Sequence, residues 1–491
     1  MIYPLNPRGI IYLSYVMDIE ETVFARRSFH LEKYDNISAM DKKEINVTMI
    51  ALGCSKNLVD AECMVKMIKD HGYNVVEDIE EPEVAVINSC GFIESAKTET
   101  IMTILNSADY KESGEKHGKL KHIIVTGCLS QRYSSEILEE LPEVDIVMGT
   151  SHYKDICAAI DSLYESIQPE RVYVSAPGGM EQLLDHREIS TTSYAWLKIG
   201  EGCVHRCSFC AIPLIRGSYK SRPMEDILKE ARDLADRGFK EIILAAQDTT
   251  NYGIDLYKKQ VLPELLRKLS QIEGIEIIRI MYGYMDGITD ELIDEMATNP
   301  KIAKYLDIPI QHGDNDILKA MLRHDTVELI TERLQKLRER IPDVIIRTTV
   351  MVGFPGETQE AFDNLIENIK KWKFDRLGCF EFSPEEGTAA YDMPDDVDEE
   401  TKKARCAEVY EVQQAISLAS NSKRIGTETF VTIDSVSEDG IFYVGRSYGE
   451  SPEIDPVIYV ASTKEEELKI GGRYKIKILE ADEYEMTGVT I

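Results

Sequence analysis

Apolar and polar positions alternate along most of the chain in a pattern typical of βα units. Between residues 45 and 160, short apolar runs are each followed by a stretch with helical periodicity. The predicted strands lie at 47–52, 84–87, 123–125 and 144–148, and the predicted helices at 60–71 and 94–107. Strands that alternate with amphipathic helices form parallel sheets. The pattern therefore predicts an N-terminal α/β domain built on a parallel sheet.

The same alternation recurs with a longer period from residue 194 to about residue 384. The predicted strands lie at 195–199, 241–246, 275–281, 306–310, 345–352 and 377–382, with helices such as 224–237 and 326–340 between them. Six strand and helix pairs predict a partial (β/α)6 TIM-type barrel. The chemistry of such a barrel lies at the carboxyl ends of its strands.

The end of the chain follows a third pattern. An amphipathic helix is predicted at 404–420, and short β-rich runs separated by turns follow it at 429–433, 441–444, 457–460 and 473–479. This pattern predicts a small C-terminal β-barrel. We predict domains at 45–161, 189–419 and 422–491.

Residues 1–44 show no sustained periodicity, whereas the pattern becomes regular at Ile45. One interpretation takes Met40 as the native start and the residues before it as an upstream extension. The other is a short ordered arm.

The charge balance is strongly acidic and bears on the choice of partner. Asp and Glu number 87 against 56 Lys and Arg, which gives a formal net charge of −31. This surface is poorly suited to gripping a phosphate backbone, so a basic protein is a better partner than a nucleic acid. The alternative is that the acidic surface only keeps the protein soluble.

No stretch reaches the roughly 18 apolar residues of a membrane span, and no secretory signal is predicted. The chain contains 10 cysteines, several of them clustered. Without a secretion signal, clustered cysteines more often bind metal than form disulfides. We therefore expect a reducing, cytoplasmic compartment and no membrane partner.

The strongest local motif is a C-x3-C-x2-C run directly after the first predicted barrel strand. Its members are Cys203, Cys207 and Cys210. Three thiolates at this spacing are able to hold one cubane iron-sulfur cluster and leave its fourth iron open for a small molecule. The alternative is zinc, which would need a fourth ligand, and His205 inside the loop is poorly placed for that role.

A second set of cysteines is spread along the N-terminal domain. Cys54, Cys90 and Cys128 each follow a predicted parallel strand and precede a predicted helix. The carboxyl ends of parallel strands meet at one edge of a sheet, so the three thiols are expected to converge there. Small core residues are the alternative for any one of them. The remaining cysteines are interpreted as buried or incidental: Cys63, Cys157, Cys379 and Cys406.

The C-x3-C-x2-C loop, with an aromatic residue at Phe209, resembles that of the radical S-adenosylmethionine (SAM) superfamily. Two cysteine triads followed by a small β domain resemble the methylthiotransferase family over residues 45–491. The resemblance implies a C-terminal TRAM domain and two [4Fe-4S] clusters. Cys203, Cys207 and Cys210 would hold the radical cluster that binds SAM. Cys54, Cys90 and Cys128 would hold the auxiliary, sulfur-donating cluster.

Several segments resemble the branch that modifies an aspartate in protein twelve of the small ribosomal subunit. They are residues 51–60, 88–93, 210–217, 445–448 and 452–455. From 425 to 491 there are six Lys and Arg against fourteen Asp and Glu, a net of −8, which favours a basic ribosomal protein over tRNA. The resemblance also implies a reductant such as flavodoxin or ferredoxin.

Other residues carry weaker expectations. Gln247, after the second barrel strand, and Arg347, on the fifth, are predicted to line the SAM site together with Phe209. Glu465, Glu466 and Glu467 are predicted to help dock the basic substrate, with a solvated turn as the alternative. No catalytic residue is predicted beyond the cluster ligands.

Two rival functions stay open. One is a tRNA adenosine methylthiotransferase from the same family. The other, from a different class, is a non-catalytic electron-transfer or cluster-carrier protein, which would need neither the barrel nor an open iron.

Overall fold

The computed structural model describes residues 10–12, 42–77, 81–165, 168–178, 186–463 and 467–491. The chain divides into two compact units, Met1–Ser190 and Thr191–Ile491. Most of the predicted extension at 1–44 lies outside the described residues. None of the described helices combines the length and apolar character needed to cross a bilayer.

The first unit contains a parallel sheet, as the alternation of apolar runs predicts. The order of its described strands is β1-β2-β4-β5-β6-β7, with β3 also paired to β2. The strands are β1 (Ile10–Tyr12), β2 (Asn46–Ala51), β3 (Asn74–Val75), β4 (Val84–Ser89), β5 (His122–Gly127), β6 (Ile146–Met148) and β7 (Val172–Tyr173). The helices are α1 (Ser55–Asp70), α2 (Glu94–Ala108), α3 (Cys128–Arg132), α4 (Ser134–Glu140) and α5 (Ile156–Glu165).

The second unit begins with six parallel strands in the order β15-β14-β13-β12-β11-β8. These strands are β8 (Tyr194–Lys198), β11 (Glu241–Ala245), β12 (Ile277–Ile280), β13 (Ile302–Asp307), β14 (Ile345–Val352) and β15 (Arg376–Glu381). A short hairpin, β9 (Gly200–Glu201) and β10 (Lys220–Ser221), follows the first of them. The helices are α6 (Ile212–Arg216), α7 (Met224–Asp236), α8 (Leu262–Ser270), α9 (Asp290–Thr298), α10 (Asn315–Ala320), α11 (Val327–Arg340), α12 (Gln359–Trp372) and α13 (Glu399–Ser422). The predicted partial barrel is confirmed.

The unit ends in a closed barrel with the strand order β16-β17-β18-β20-β19. Its strands are β16 (Glu428–Val436), β17 (Tyr443–Arg446), β18 (Ile458–Ala461), β19 (Arg473–Ala481) and β20 (Met486–Thr490). Alternate residues point inward and form a small apolar core that includes Val431, Ile458 and Ile476. The predicted small β-barrel is confirmed, although the sequence pattern did not indicate β20.

Side-chain caps set the starts of several barrel helices. The hydroxyl of Thr326 accepts a hydrogen bond from the amide of Leu329 at the start of α11, and Thr358 caps α12 in the same way. A cap satisfies one of the four amides that have no partner inside the helix. These caps fix the residue at which each of the two helices begins.

The small β-barrel packs against the end of the larger barrel at which the strands begin. Arg446 on β17 forms ion pairs with Glu241, the first residue of β11, at 2.9 Å and with Asp434 at 2.6 Å. Arg279 on β12 also pairs with Glu241, at 2.9 Å, and donates to the Tyr448 carbonyl at 2.7 Å. Burial raises the pKa of Glu241, but the two guanidinium groups outweigh it, and the pKa lies below its usual value. The carboxylate therefore stays ionised between two arginines.

Candidate functional site

The N-terminal cysteines follow three neighbouring strands. Cys90 comes directly after β4, Cys128 directly after β5, and Cys54 three residues after β2, immediately before α1. Burial raises the pKa of Cys90 to about 12, and the nearby sulfurs of Cys128 and then Cys54 add to the rise. The structure therefore brings the three predicted thiols together at one edge of the sheet.

The turn before Cys54 passes very close to Cys90. A β-carbon on Gly53 would lie 2.7 Å from the β-carbon and 2.9 Å from the sulfur of Cys90. Gly53 also has a φ of +85°, which L-residues rarely adopt. Only glycine lets these two turns approach in this way.

A residue that the sequence reasoning missed joins the three turns. The side-chain amide of Asn57 donates to the carbonyls of Leu52 at 3.0 Å and Ser89 at 2.9 Å. Its oxygen accepts from the Cys128 sulfur at 3.6 Å. Asn57 is fully buried at the start of α1 and so contacts the carboxyl ends of β2, β4 and β5. Its only sequence signal was its place inside the 51–60 segment.

The second triad occupies the loop between β9 and α6. The Cys203 amide donates to the Gly217 carbonyl at 3.1 Å, and the Ser208 amide donates to the Met321 carbonyl at 3.0 Å. Burial raises the pKa of Cys203 to about 12, with Asp248 and the Cys207 sulfur adding to the rise. The pKa of Cys210 is raised by burial and then by the Cys207 sulfur. The loop therefore holds three neighbouring cysteines, of which Cys203 and Cys207 are buried and Cys210 is partly exposed.

The donor chemistry of the two triads bears on which metal group they would hold. In the described part of the chain, no three His, Cys, Asp or Glu side chains converge on one point as the ligands of one ion do. Each thiolate of a cubane binds a different iron, so the ligands of a cluster lie apart. Three thiols are one short of the four protein ligands that a structural zinc takes, whereas they suffice for a cubane cluster with one open iron.

Several side chains around the second triad were not predicted as a group. Tyr284, after β12, stacks on His205 with ring centroids 3.8 Å apart and an angle of 7° between the planes. The guanidinium group of Arg323 lies over the Tyr284 ring, 4.6 Å from the ring centroid. His205 forms a hydrogen-bonded pair with Asp248 at 2.7 Å. These residues come from loops distant in sequence, so no local sequence pattern could have shown that their side chains lie together.

Gln247 lies two residues beyond β11, and its amide donates to the Glu201 carboxylate at 2.7 Å. Its own oxygen is buried without a hydrogen-bond partner among the described residues. Burial raises the pKa of Glu201, but Arg216 and Lys198 outweigh it and the pKa falls to about 2. The structure thus places an ionised carboxylate and an unsatisfied acceptor in the loops that follow β8 and β11.

Phe209 is partly buried and packs against an apolar group that includes Met321 and Phe354. This contact holds the cysteine loop against that apolar group. The predicted role of Phe209 in holding the cofactor stays a prediction.

Arg347 lies near the beginning of β14, five residues before its carboxyl end. Its guanidinium forms ion pairs with Asp307 at 2.9 Å and with Asp455 of the small β-barrel at 3.5 Å. Both partners are carboxylates of the protein itself. Arg347 thus joins the small β-barrel to the larger one, and its predicted SAM contact stays a prediction.

The predicted docking run is only partly described. Glu465 and Glu466 lie outside the described residues, and Glu467 is exposed. Its predicted role stays a prediction.

Comparisons with known proteins cover most of the chain. The Radical SAM superfamily matches residues 197–369, the uncharacterized protein family UPF0004 matches 46–149, and the TRAM domain matches 425–491. The fold also resembles the radical SAM methyltransferase TsrM from Kitasatospora setae, with a TM-score of 0.50 at 12% identity over 69% of this chain and 75% of that one.

Curated relatives are much more similar. The ribosomal protein uS12 methylthiotransferase RimO of Acetivibrio thermocellus is 46% identical over 92% of this chain and 99% of its own length. The proteins of the same name from Thermoanaerobacter sp. and Clostridioides difficile are 46% and 45% identical over 90% of this chain and 99% and 98% of their own lengths. The chain therefore belongs to the uS12 methylthiotransferase family of radical SAM proteins.

Proposed function

We propose that this protein replaces a hydrogen on the β-carbon of an aspartate in ribosomal protein uS12 with a methylthio group. The observation that carries the proposal is the presence of a second cysteine triad. Radical generation requires only the triad of the barrel, so Cys54, Cys90 and Cys128 need a task of their own. Sulfur delivery from an auxiliary cluster is such a task, and the similarity to the uS12 methylthiotransferases supports it.

We assign one [4Fe-4S] cluster to each triad, with the open iron of the barrel cluster as the binding site for SAM. When bound, these groups supply the methyl group, the sulfur and a 5′-deoxyadenosyl radical. The protein itself must position them and exclude water, because a primary radical reacts with whatever hydrogen donor it meets first.

The side chains near the barrel loop suit the methionyl end of SAM. The oxygen of Gln247 is a buried acceptor that an ammonium group would satisfy, since unpaired buried polar atoms are costly. Glu201 is ionised and orients the amide of Gln247 by accepting its hydrogen bond. We infer that Gln247 holds the cofactor and that Glu201 positions Gln247.

Charge favours a ribosomal protein over tRNA as the substrate. The TRAM segment, 425–491, carries a net of −8 from six basic and fourteen acidic residues. This segment would repel a phosphate backbone and attract a basic protein. We therefore place tRNA modification second.

The electron that the radical cluster needs comes from a protein donor such as flavodoxin or ferredoxin, in the reducing cytoplasm. The contacts of the described residues do not identify the donor, so the assay below uses a chemical reductant in its place.

The test is an anaerobic reaction of the reconstituted protein with SAM, a chemical reductant and either purified uS12 or total tRNA. Mass spectrometry of uS12 peptides should find one aspartate heavier by a methylthio group in place of hydrogen. Modified adenosine in tRNA, with unmodified uS12, would contradict the proposal. A loaded protein that does not cleave SAM at all would favour an electron-transfer or cluster-carrier protein.

A further inference from the structure

Two segments at the carboxyl edge of the larger barrel differ in charge from the rest of the chain. Residues 202–221, which include the cysteine loop, contain three Lys and Arg and no Asp or Glu. The loop 246–261, between β11 and α8, contains two Lys and two Asp. Five basic and two acidic residues give the two segments a formal charge of +3, in a chain whose formal net charge is −31. They form a basic region on an acidic protein.

The basic side chains of this region face solvent. In these two segments, both described in full, the exposed charged side chains are all basic: Arg206, Lys220, Lys258 and Lys259. The fifth basic residue, Arg216, is buried in an ion pair at 3.1 Å with Glu201. Four positive charges are therefore available to a partner.

The two acidic side chains of the region are already engaged. Asp248 is buried and pairs with His205 at 2.7 Å. The carboxylate of Asp255 accepts from the amide of Ser221 at 2.9 Å and from its hydroxyl at 2.6 Å. The carboxylates therefore contribute less to the surface than the basic groups do.

Hydrogen bonds join the two segments into one surface. The Gly253 amide donates to the Ser221 hydroxyl at 2.9 Å, and the side-chain amide of Asn251 lies 3.4 Å from the ring nitrogen of His205. His205 lies inside the cysteine loop itself. A partner bound to the 246–261 loop would thus also lie beside the radical triad.

Exposed apolar side chains lie among these charges. Val204 is 48% exposed, Ile254 39% and Leu256 45%. Interfaces between proteins combine apolar contacts at the centre with a polar rim, and exposed apolar groups gathered in one region often mark such a site. Val204 and Arg206 lie between Cys203 and Cys207, so a protein that covers them contacts the cysteine loop.

We propose that the exposed side chains of residues 202–221 and 246–261 bind a small acidic electron-transfer protein that reduces the radical cluster. One electron passes from the carrier to the cluster, so the carrier is oxidised and the cluster is reduced by the same electron. The inference rests on the proposed radical cluster at Cys203, Cys207 and Cys210.

Charge and position together favour this partner. The acidic remainder of the chain repels an acidic carrier, whereas the basic region attracts it, so the carrier is steered to this one face. Electron transfer slows steeply with distance, and this face contains the loop that would hold the cluster. An RNA would also be attracted by the charge, but it has no need to contact the cysteine loop.

The first measurement is equilibrium binding of a purified acidic flavodoxin to the full-length protein. The test variant combines Lys258→Glu and Lys259→Glu. The matched control combines Lys370→Glu and Lys371→Glu, which change the charge equally at exposed positions near the end of α12, before β15 begins and so at the opposite edge of the barrel. We expect the Kd of the test variant to rise about tenfold at low salt, with a smaller difference at high salt and no change in the control.

The second measurement compares two sources of electrons for SAM cleavage. Flavodoxin reduced by NADPH and its reductase should support slower 5′-deoxyadenosine formation in the test variant than in the parent protein. Saturating dithionite, a small reductant that needs no docking, should support equal rates. The defect should therefore be specific to the protein donor.

A parent-like Kd in the test variant, or an equal loss of binding in the control, would overturn the proposal. So would an equal loss of dithionite-driven cleavage, since the region would then act on the cluster or the fold. Loss of binding to a labelled single-stranded RNA, with flavodoxin binding unchanged, would assign the region to RNA instead. A parent protein that binds flavodoxin as expected but cleaves no SAM with dithionite would refute the radical cluster itself, so the two failures are distinguishable.

Discussion

The side-chain oxygen of Asn57 accepts a hydrogen bond from the Cys128 sulfur at 3.6 Å, although the two residues are separated by 71 positions in the chain. The amide of the same side chain donates to the ends of the other two strands that carry the auxiliary cysteines. Asn57 therefore links the three strand ends whose cysteines we propose to hold one cluster.

Replacing Asn57 with Ala should loosen the auxiliary triad, Cys54, Cys90 and Cys128. It should not disturb the radical triad, Cys203, Cys207 and Cys210. The carbonyls of Leu52 and Ser89 would lose their buried donor, which costs about 1–3 kcal/mol per unsatisfied group. We expect lower iron content and little methylthiolation, with SAM cleavage retained. Asn74→Ala, at an exposed position of the same unit, is the control and should behave like the parent protein. Full product yield from Asn57→Ala would show that the asparagine has no role in holding the triad.

Replacing Cys203, Cys207 and Cys210 together with Ala should remove the radical cluster. Iron content should fall by about half of the eight irons that two cubanes hold, and 5′-deoxyadenosine should not form, because no iron remains to bind SAM. Iron analysis and chromatography of the nucleoside products measure both effects. Continued SAM cleavage would mean that the radical site lies elsewhere.

The triple Ala variant of Cys54, Cys90 and Cys128 should behave in the opposite way. Its barrel loop is intact, so 5′-deoxyadenosine should still form under reducing conditions, whereas methylthiolated uS12 should disappear because the proposed sulfur donor is missing. Both products are measured in the same reaction. A normal yield of modified uS12 would refute the auxiliary-cluster assignment.

Reversing Glu465, Glu466 and Glu467 to Lys tests electrostatic steering of a basic substrate. Turnover should slow at low salt and approach the parent rate as salt rises, because the Debye length shortens to about 8 Å at physiological ionic strength. The matched control reverses Glu136, Glu139 and Glu140, which are exposed on α4 and carry the same charge. Equal rates for the variant and the parent at every salt concentration would exclude steering by this run.

The fold class followed from local patterns, because the periodicity of apolar residues reflects which side chains are buried. The same rule misplaced the fourth barrel strand, predicted at 306–310 but found at Ile302–Asp307. Ile310 is buried, yet it lies beyond the strand, and Gln311 after it has a φ of +70°. A run of apolar residues therefore indicates buried side chains, but it does not always indicate a β-strand.

The candidate site also contains two kinds of residue: those that the sequence predicted and those that only the structure showed. The six cysteines could be predicted as cluster ligands because their spacing relative to predicted strands is a local property. Tyr284, Arg323 and Asn57 could not, since their partners come from distant segments and only the fold brings them together. The ion pairs of Arg347 with Asp307 and Asp455 were likewise not predicted, because both partners lie far from it in the sequence.

The contact between Arg446 and Glu241 has a consequence for how the protein handles a large substrate. It fixes the TRAM barrel at the end where the strands begin, whereas the Cys203 loop follows the end of β8 and lies at the opposite edge. β8 and β11 have five residues each, which separates the two edges by about 17 Å. If the TRAM barrel binds the substrate and the Cys203 loop holds the radical cluster, as we propose, binding and chemistry are about one strand's length apart, and a bound substrate has to span that distance to present its aspartate. Recognition would then depend on the length of the substrate as well as on its charge. A peptide too short to span this distance should gain nothing from binding to the TRAM barrel.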